Sequence, residues 1–399
     1  MLLFGKQKAY DAYFKILENE KDSGALSEII SAAAKYNFGG KLWQTFIAWL
    51  IINDENPYSL ACERRECSSP SLCAIAELDM KELFDAFNIR HNGILGSDFC
   101  GGKGFGGQCE YIGNLASQLA SHLSAAADIS EFKGCIDSFF AEYGVGLFGL
   151  NKAFHIENHA QLTLKPADSF DPVRFSDLWG YEIQKKELID NTELFLSGRS
   201  ANNVLLYGDS GTGKSTAIKA LLNEYSDRGL RIIEVYKHQF GLLPELCDIL
   251  KHRSYFFIIF MDDLSFEDFE IEYKYLKALI EGGLEPKPKN ILIYATSNRR
   301  HLIKENNSDR DDSDDRHRSD TIQEKLSLSE RFGVSIYYPK PISAEYNEIV
   351  LHLAELNHIA FEKDELLRQA HIWGMEHGRL SGRTAQQFIN SLKKTGYEK

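Results

Sequence analysis

The chain has 399 residues, with 45 Lys and Arg against 58 Asp and Glu, a formal net charge of −13. Its 43% hydrophobic and 26% charged content is that of an ordinary globular protein of about two to three domains, which excludes wholesale disorder, collagen and a disulfide miniprotein. The acidic balance disfavours a protein that coats nucleic acid by neutralising phosphates, and equally a polybasic membrane binder.

At the start, Lys6 and Lys8 arrive before an apolar core of signal-peptide length can form. The apolar stretch Leu42–Ile52 carries Gln44 and Thr45 and is too short to span a bilayer. No membrane segment and a reducing, cytoplasmic location are therefore expected. The seven cysteines, at 62, 67, 73, 100, 109, 135 and 247, contain no Cys-x-x-Cys pair. The spacing of Cys62, Cys67 and Cys73 matches no zinc pattern, so free thiols are expected.

Residues 1–157 read as a mostly helical N-terminal domain. Ala25–Tyr36, Leu42–Ile52, Tyr111–Ala127 and Glu131–Tyr143 have helical apolar spacing. Asn56-Pro57, Ser69-Pro70 and the run GGKGFGG at 101–107 punctuate it. That Gly-rich run lacks a following Lys-Ser/Thr and a preceding apolar strand, so it reads as a turn and not as a phosphate loop. Residues 158–176, polar and carrying Pro166 and Asp171-Pro172, read as a linker.

Beyond the linker the texture changes. NNVLLYG (202–208), RIIEVY (231–236), YFFIIFMDD (255–263), ILIYATSN (291–298) and VSIYYP (334–339) alternate with helix-like segments. That rhythm predicts an α/β domain over 177–340, a parallel five-stranded sheet covered by helices. Residues 341–399 return to a helical pattern.

Gly208-Asp209-Ser210-Gly211-Thr212-Gly213-Lys214-Ser215 fits G-x-x-x-x-G-K-[ST] at every fixed position, with an apolar strand before it and a helix, starting through Thr216, after it. Glycines let such a loop curl its N–H groups inward toward phosphate oxygens, and the helix N-terminus adds its positive end. Lys214 then reaches the outer phosphates and the Ser215 hydroxyl is a ligand for Mg²⁺. The strand 256–261 runs into Asp262 and Asp263, as a buried strand does when it delivers carboxylates to its ligand-binding edge. Asp262 suits the Mg²⁺ shell, and Asp263 suits polarisation of an attacking water. Asn298, at the end of ILIYATSN, is a polar amide placed to help position that water. Arg331 precedes the last strand, where a rigid cationic fork can serve a neighbouring protomer's phosphates. Arg383 opens a helix in the C-terminal part.

This order of phosphate loop, acidic strand end, polar strand end, Arg before the last strand and Arg in a helical lid resembles the AAA+ ATPase superfamily over about residues 170–395. There the sites are called Walker A, Walker B, sensor 1, arginine finger and sensor 2. DLWGYEIQKKELIDNTELFLSG (177–198) looks like the helix that opens the AAA+ core, whose leading loop packs on adenine. Leu178, Gly180 and Tyr181 are the candidates, with Ile183 behind them. NTELFLSG, DDLSFE, ATSNRRHLI, SLSERFG and SGRTAQQF together look like one bacterial family of AAA+ ATP-binding proteins filed as a domain of unknown function. The resemblance implies ATP binding with Mg²⁺, hydrolysis, and a homo-oligomeric ring or spiral in which Arg331 acts in trans. A helical N-terminal domain would then recruit a protein client. One departure matters. The acid after Asp262 is usually Glu and here is Asp263, shorter by one CH₂, so modest turnover is expected. That keeps open a slow or non-hydrolysing ATP switch. A DNA-dependent ATPase needs a basic surface that neither half offers.

Two further features have bland competitors. The Asp-rich segment 305–320, interspersed with Arg310, Arg316, His317 and Arg318, reads as a solvated loop before it reads as a cation or assembly site. Phe240-Gly241 stands where protein-threading AAA+ machines carry a pore loop, but it reads first as a buried aromatic at a strand-to-helix turn.

Overall fold

The computed structural model describes residues 1–66, 69–100, 107–157, 162–167, 170–266, 272–281, 288–299, 302 and 328–394. The Gly-rich run, apart from its last residue, and the segment 305–320 lie outside the described residues. The chain divides into two compact units, Met1–Lys152 with Pro166–Phe170, and Ala153–Lys165 with Asp171–Lys399. Among the described residues, no helix is long and apolar enough to cross a membrane.

The first unit is helical, as its apolar spacing predicts. Its elements are α1 (Tyr10–Glu18), α2 (Ser23–Tyr36), α3 (Leu42–Asn53), α4 (Pro57–Glu63), α5 (Pro70–Phe87), α6 (Gly107–Ala125), α7 (Ile129–Tyr143) and α8 (Gly146–Leu150). A two-stranded antiparallel ribbon, β1 (Gly39–Lys41) with β2 (Asp98–Cys100), sits among them. The punctuation Asn56-Pro57 and Ser69-Pro70 marks helix starts. The Asn56 side chain accepts the N–H groups of Tyr58 and Ser59, Ser69 accepts that of Leu72, and each Pro takes a first-turn position where no N–H is needed. α3 is buried on nearly every side, which suits a helix at the centre of a core. Its Trp43 stacks on Tyr13 at 5.7 Å and donates its indole N–H to Ala86 O at 2.9 Å.

Buried carboxylates close this unit. Asp79, 1% exposed, accepts the backbone N–H groups of Leu2, Leu3 and Phe4 at 2.6, 2.7 and 2.9 Å. Asp54 accepts that of Gly5 at 3.0 Å, and burial pushes its carboxyl above the ordinary carboxylate range. Glu63 accepts that of Val145 at 3.0 Å.

The second unit is an α/β sheet with a helical lid. Its strands are β3 (Ala153–Ile156), β4 (Leu164–Pro166), β5 (Val204–Gly208), β6 (Leu230–Glu234), β7 (Phe256–Met261), β8 (Ile291–Ser297) and β9 (Val334–Tyr338), in the order β4-β3-β6-β7-β8-β5-β9. β5 to β9 are the five expected strands, paired in parallel. The sheet is nonetheless seven-stranded. Residues 153–156 and 164–166, read from the sequence as the end of the N-terminal domain and part of the linker, extend it beyond β6, with β3 parallel to β6. These strands are too short to show a periodicity of their own.

Helices α9 (Glu182–Leu196), α10 (Lys214–Tyr225), α11 (Leu243–Leu250) and α12 (Glu272–Glu281) accompany the sheet. A polar network ties α9 to β8, where Asn191 Nδ2 donates to Asn202 O and to the Tyr294 hydroxyl, and Thr192 shares a hydrogen bond with that hydroxyl. The lid is α13 (Ser343–Leu356), α14 (Lys363–Glu376) and α15 (Gly382–Lys394), closed over Tyr346, Val350, Leu366, Ala370, Phe388 and Ile389. This parallel sheet with flanking helices and a C-terminal helical part is the architecture that the AAA+ resemblance implies.

Replacing Asp79 strands three backbone donors. Asp79→Ala should destabilise the chain by about 2–4 kcal/mol, and Asp79→Asn by less, because an amide oxygen still accepts. Denaturant titration of the three proteins checks the ranking.

Candidate nucleotide site

The site lies at the C-terminal ends of β5, β7 and β8, because parallel pairing carries those ends to one edge of the sheet. β5 runs into Gly208 at φ +134°, and a Cβ there would lie 2.1 Å from Tyr338 O on β9. Only glycine lets the two backbones approach so closely. Gly211 (φ +80°) and Gly213 (φ +91°) complete the turn into α10. Within it, Thr212 Oγ1 donates to Asp209 O at 2.8 Å, while Ser210 and Thr216 are half-buried beside it.

Lys214 is 6% exposed, and its Nζ donates to Gly208 O at 2.9 Å, to Asp209 O at 2.7 Å and to Asn298 Oδ1 at 3.4 Å. Burial pushes its ammonium below the ordinary lysine range, and Arg383 adds in the same direction. Asp209, Asp263 and Asp262 oppose the shift. A buried cation held mainly by neutral carbonyls suits an anionic ligand, since phosphate oxygens are better partners than carbonyl dipoles.

The two acidic residues make different contacts. Ser215 Oγ donates to Asp262 Oδ1 at 2.6 Å. These are hard oxygen donors, the set that Mg²⁺ takes. Asp263, in the left-handed region at φ +50°, accepts from Asn298 Nδ2 at 2.7 Å. Asn298 thus links Lys214 to Asp263. Thr296, which the sequence shows only as part of a polar strand end, donates from Oγ1 to Asp262 Oδ1 at 2.5 Å and accepts the Asp263 N–H at 2.9 Å.

The lid reaches the loop through Arg383, whose backbone N–H donates to Gly211 O at 3.2 Å. Ser381 Oγ stands 3.0 Å from where a Gly211 Cβ would be. The Arg383 side chain is exposed. Arg331 stands three residues before β9. Its guanidinium pairs with Glu281 at the end of α12. Leu178 and Tyr181 precede and cap α9. The carbonyl of Leu178 accepts from Lys185 Nζ at 2.8 Å, and the Tyr181 hydroxyl donates to Pro339 O at 2.8 Å. Burial pushes the Tyr181 hydroxyl up to about 12. Ile183 is 80% exposed, so it does not stand behind them in a packed pocket. Phe240 is buried against Phe266, the structural role that its strand-to-helix position favours.

A cavity of 470 Å³ beside the loop is lined by Tyr207, Gly208, Asp209, Asn298 and Tyr337. Tyr207 and Tyr337 are register partners across β5 and β9, with rings 5.3 Å apart. Sequence reasoning missed both, because their proximity depends on strand pairing that no local motif encodes.

Residues 150–395 match the family described as protein of unknown function (DUF815). The match covers more than half of the chain, and the chain belongs to that family. A search of the curated proteins finds no match. Similar solved structures include two single-substitution mutants of RuvB from Thermotoga maritima. They are 17% and 18% identical, with TM-scores of 0.38 and 0.40, over 55% and 56% of this chain and 64% and 66% of theirs. The chain thus spans a little under two thirds of their length.

The glycines of the loop carry different constraints. Gly208→Ala meets backbone at β9 and should cost about 3 kcal/mol or more. Gly213→Ala meets no atom within 4 Å, so only its positive φ opposes it, at about 1–2 kcal/mol. Thermal unfolding of the two variants reads the difference.

Proposed function

We propose that the chain binds Mg-ATP in the cradle from Gly208 to Ser215 and hydrolyses it, as an AAA+ ATPase acting on a protein client. The observation that carries this reading is the convergence of Lys214, Ser215, Asp262, Asp263 and Asn298 at one sheet edge, joined by hydrogen bonds of 2.6 to 3.4 Å. Family membership adds no activity of its own.

In this reading the loop and Lys214 hold the phosphates, while Ser215 and Asp262 would hold Mg²⁺. Bound there, Mg²⁺ supplies charge neutralisation for the transferring phosphoryl group. Asp263 orients a water and receives its proton as the new P–O bond forms. The bond from the γ-phosphorus to the ADP oxygen breaks, and ADP and inorganic phosphate leave. Asn298, which binds Lys214 and Asp263, must exchange those contacts for phosphate and water, so its amide couples nucleotide occupancy to the base. The same contact supports the second reading, a slow switch, because Asp263 is already engaged through Asn298. Leu178, Tyr181 and Arg383 are proposed to close over the nucleotide from the sides of α9 and the lid. Arg331 is proposed to serve a neighbouring protomer in a homo-oligomeric ring or spiral, which requires its release from Glu281. The helical first unit is proposed to recruit the client, in the cytoplasm.

Asp263→Asn should lower ATP turnover by about a hundredfold or more while leaving ATP affinity within about threefold. Retained turnover removes Asp263 from the role, and immeasurable turnover in the wild-type chain with intact binding favours the switch. Turnover per protomer should also rise with protein concentration, and Arg331→Ala should abolish that rise. A rate independent of concentration rejects the action in trans.

A further inference from the structure

Asp262 and Asp263 are neighbours in sequence with different tasks, and a single buried hydroxyl touches both residues. Thr296 is 2% exposed and stands one residue before the end of β8. Its hydroxyl has one proton and two lone pairs. The proton goes to Asp262 Oδ1 at 2.5 Å, and a lone pair accepts the Asp263 backbone N–H at 2.9 Å. Its carbonyl oxygen accepts the N–H of Leu264 at 2.7 Å, and Ser297 Oγ donates to Leu264 O at 2.8 Å. The turn that follows β7 is therefore clamped residue by residue to the end of β8.

The clamp has two consequences. Asp262 Oδ1 is held between two hydroxyl donors, Thr296 and Ser215, so one oxygen is fixed while the other stays outside that pair of bonds. Asp263 is held at φ +50°. In that region Asp and Asn are enriched among residues with a Cβ, since a short polar side chain tolerates it best. A longer Glu side chain there loses that local advantage.

We propose that Thr296 is the positioning residue of the acidic pair: its one hydroxyl orients the Asp262 carboxylate for Mg²⁺ and, by accepting the Asp263 N–H, holds the left-handed turn that selects Asp over Glu at 263. The inference rests on the Mg-ATP reading above. Thr296 touches neither water nor phosphate in this role. It acts through the two carboxylates, as an outer-shell partner does for a metal ligand.

The test uses the full chain and three variants, with a fluorescent ATP analogue titrated with Mg²⁺ and, in parallel, with EDTA. Thr296→Val keeps the branched shape and removes both hydrogen bonds, whereas Thr296→Ser keeps the hydroxyl. In the Val variant the half-saturating Mg²⁺ concentration should rise by about tenfold or more and kcat should fall by a similar factor. Its metal-free nucleotide affinity should stay within about twofold of wild type. The Ser variant should stay within about threefold of wild type throughout. Asp263→Glu should turn over more slowly than wild type. Should the Val variant not fold, Thr296→Ala carries the same expectations. An unchanged Mg²⁺ requirement in the Val variant, or equal losses in Val and Ser, overturns the positioning role. Faster turnover in Asp263→Glu overturns the selection of Asp by the turn. A wild-type chain that binds no nucleotide in either titration overturns the ATP reading itself, and is distinguished from the other outcomes by the EDTA arm.

Discussion

One oxygen of Asp262 accepts the Ser215 hydroxyl at 2.6 Å and the Thr296 hydroxyl at 2.5 Å. Those three residues come from the first turn of α10, the end of β7 and the end of β8, so the carboxylate joins elements far apart in sequence. A carboxylate accepting two short hydroxyl bonds is held far more firmly than one reaching into water. The loop 208–215, the acidic turn and the polar strand end therefore share one reference point. Displacing any one of them breaks bonds to the others.

The same edge concentrates opposite charges in a partly buried place. Lys214 is nearly buried beside Asp209, Asp262 and Asp263, and burial lowers its affinity for its own proton. Its ammonium donates to the carbonyls of Gly208 and Asp209, while the charges of Asp209, Asp263 and Asp262 oppose that lowering. Overall acidity and a locally buried lysine are thus compatible. The net charge of −13 governs what the whole surface attracts, while Lys214 and the loop govern what the cleft attracts.

The first unit solves a different problem with the same chemistry. Backbone N–H groups near the start of the chain cannot all enter helices, and buried donors need acceptors. Asp79 of α5 and Asp54, just after α3, supply them, and Glu63 of α4 does the same for the N–H of Val145. These carboxylates could be mistaken in sequence for acids with a binding role. Their burial against backbone donors assigns them to holding the fold together.

Local sequence determined a good deal. The strand, loop and helix around 208–215 were legible because the glycines, lysine and serine of the loop are contiguous and flanked by an apolar run and a helical one. The helices α2, α3, α6 and α7 were legible from apolar spacing, and β5 to β9 from short apolar runs. What was not legible depends on pairing between distant segments. β3 and β4 are strands only because β6 offers a free edge, and Tyr207 meets Tyr337 only because β5 lies against β9. Arg331 could be named from its place before the last strand, but its partner Glu281 could not. Thr296 looked like one polar residue among three. The tertiary structure alone decided that its hydroxyl is the one placed between both aspartates, because hydrogen bonds are directional over about 3 Å and sequence order carries no such distance.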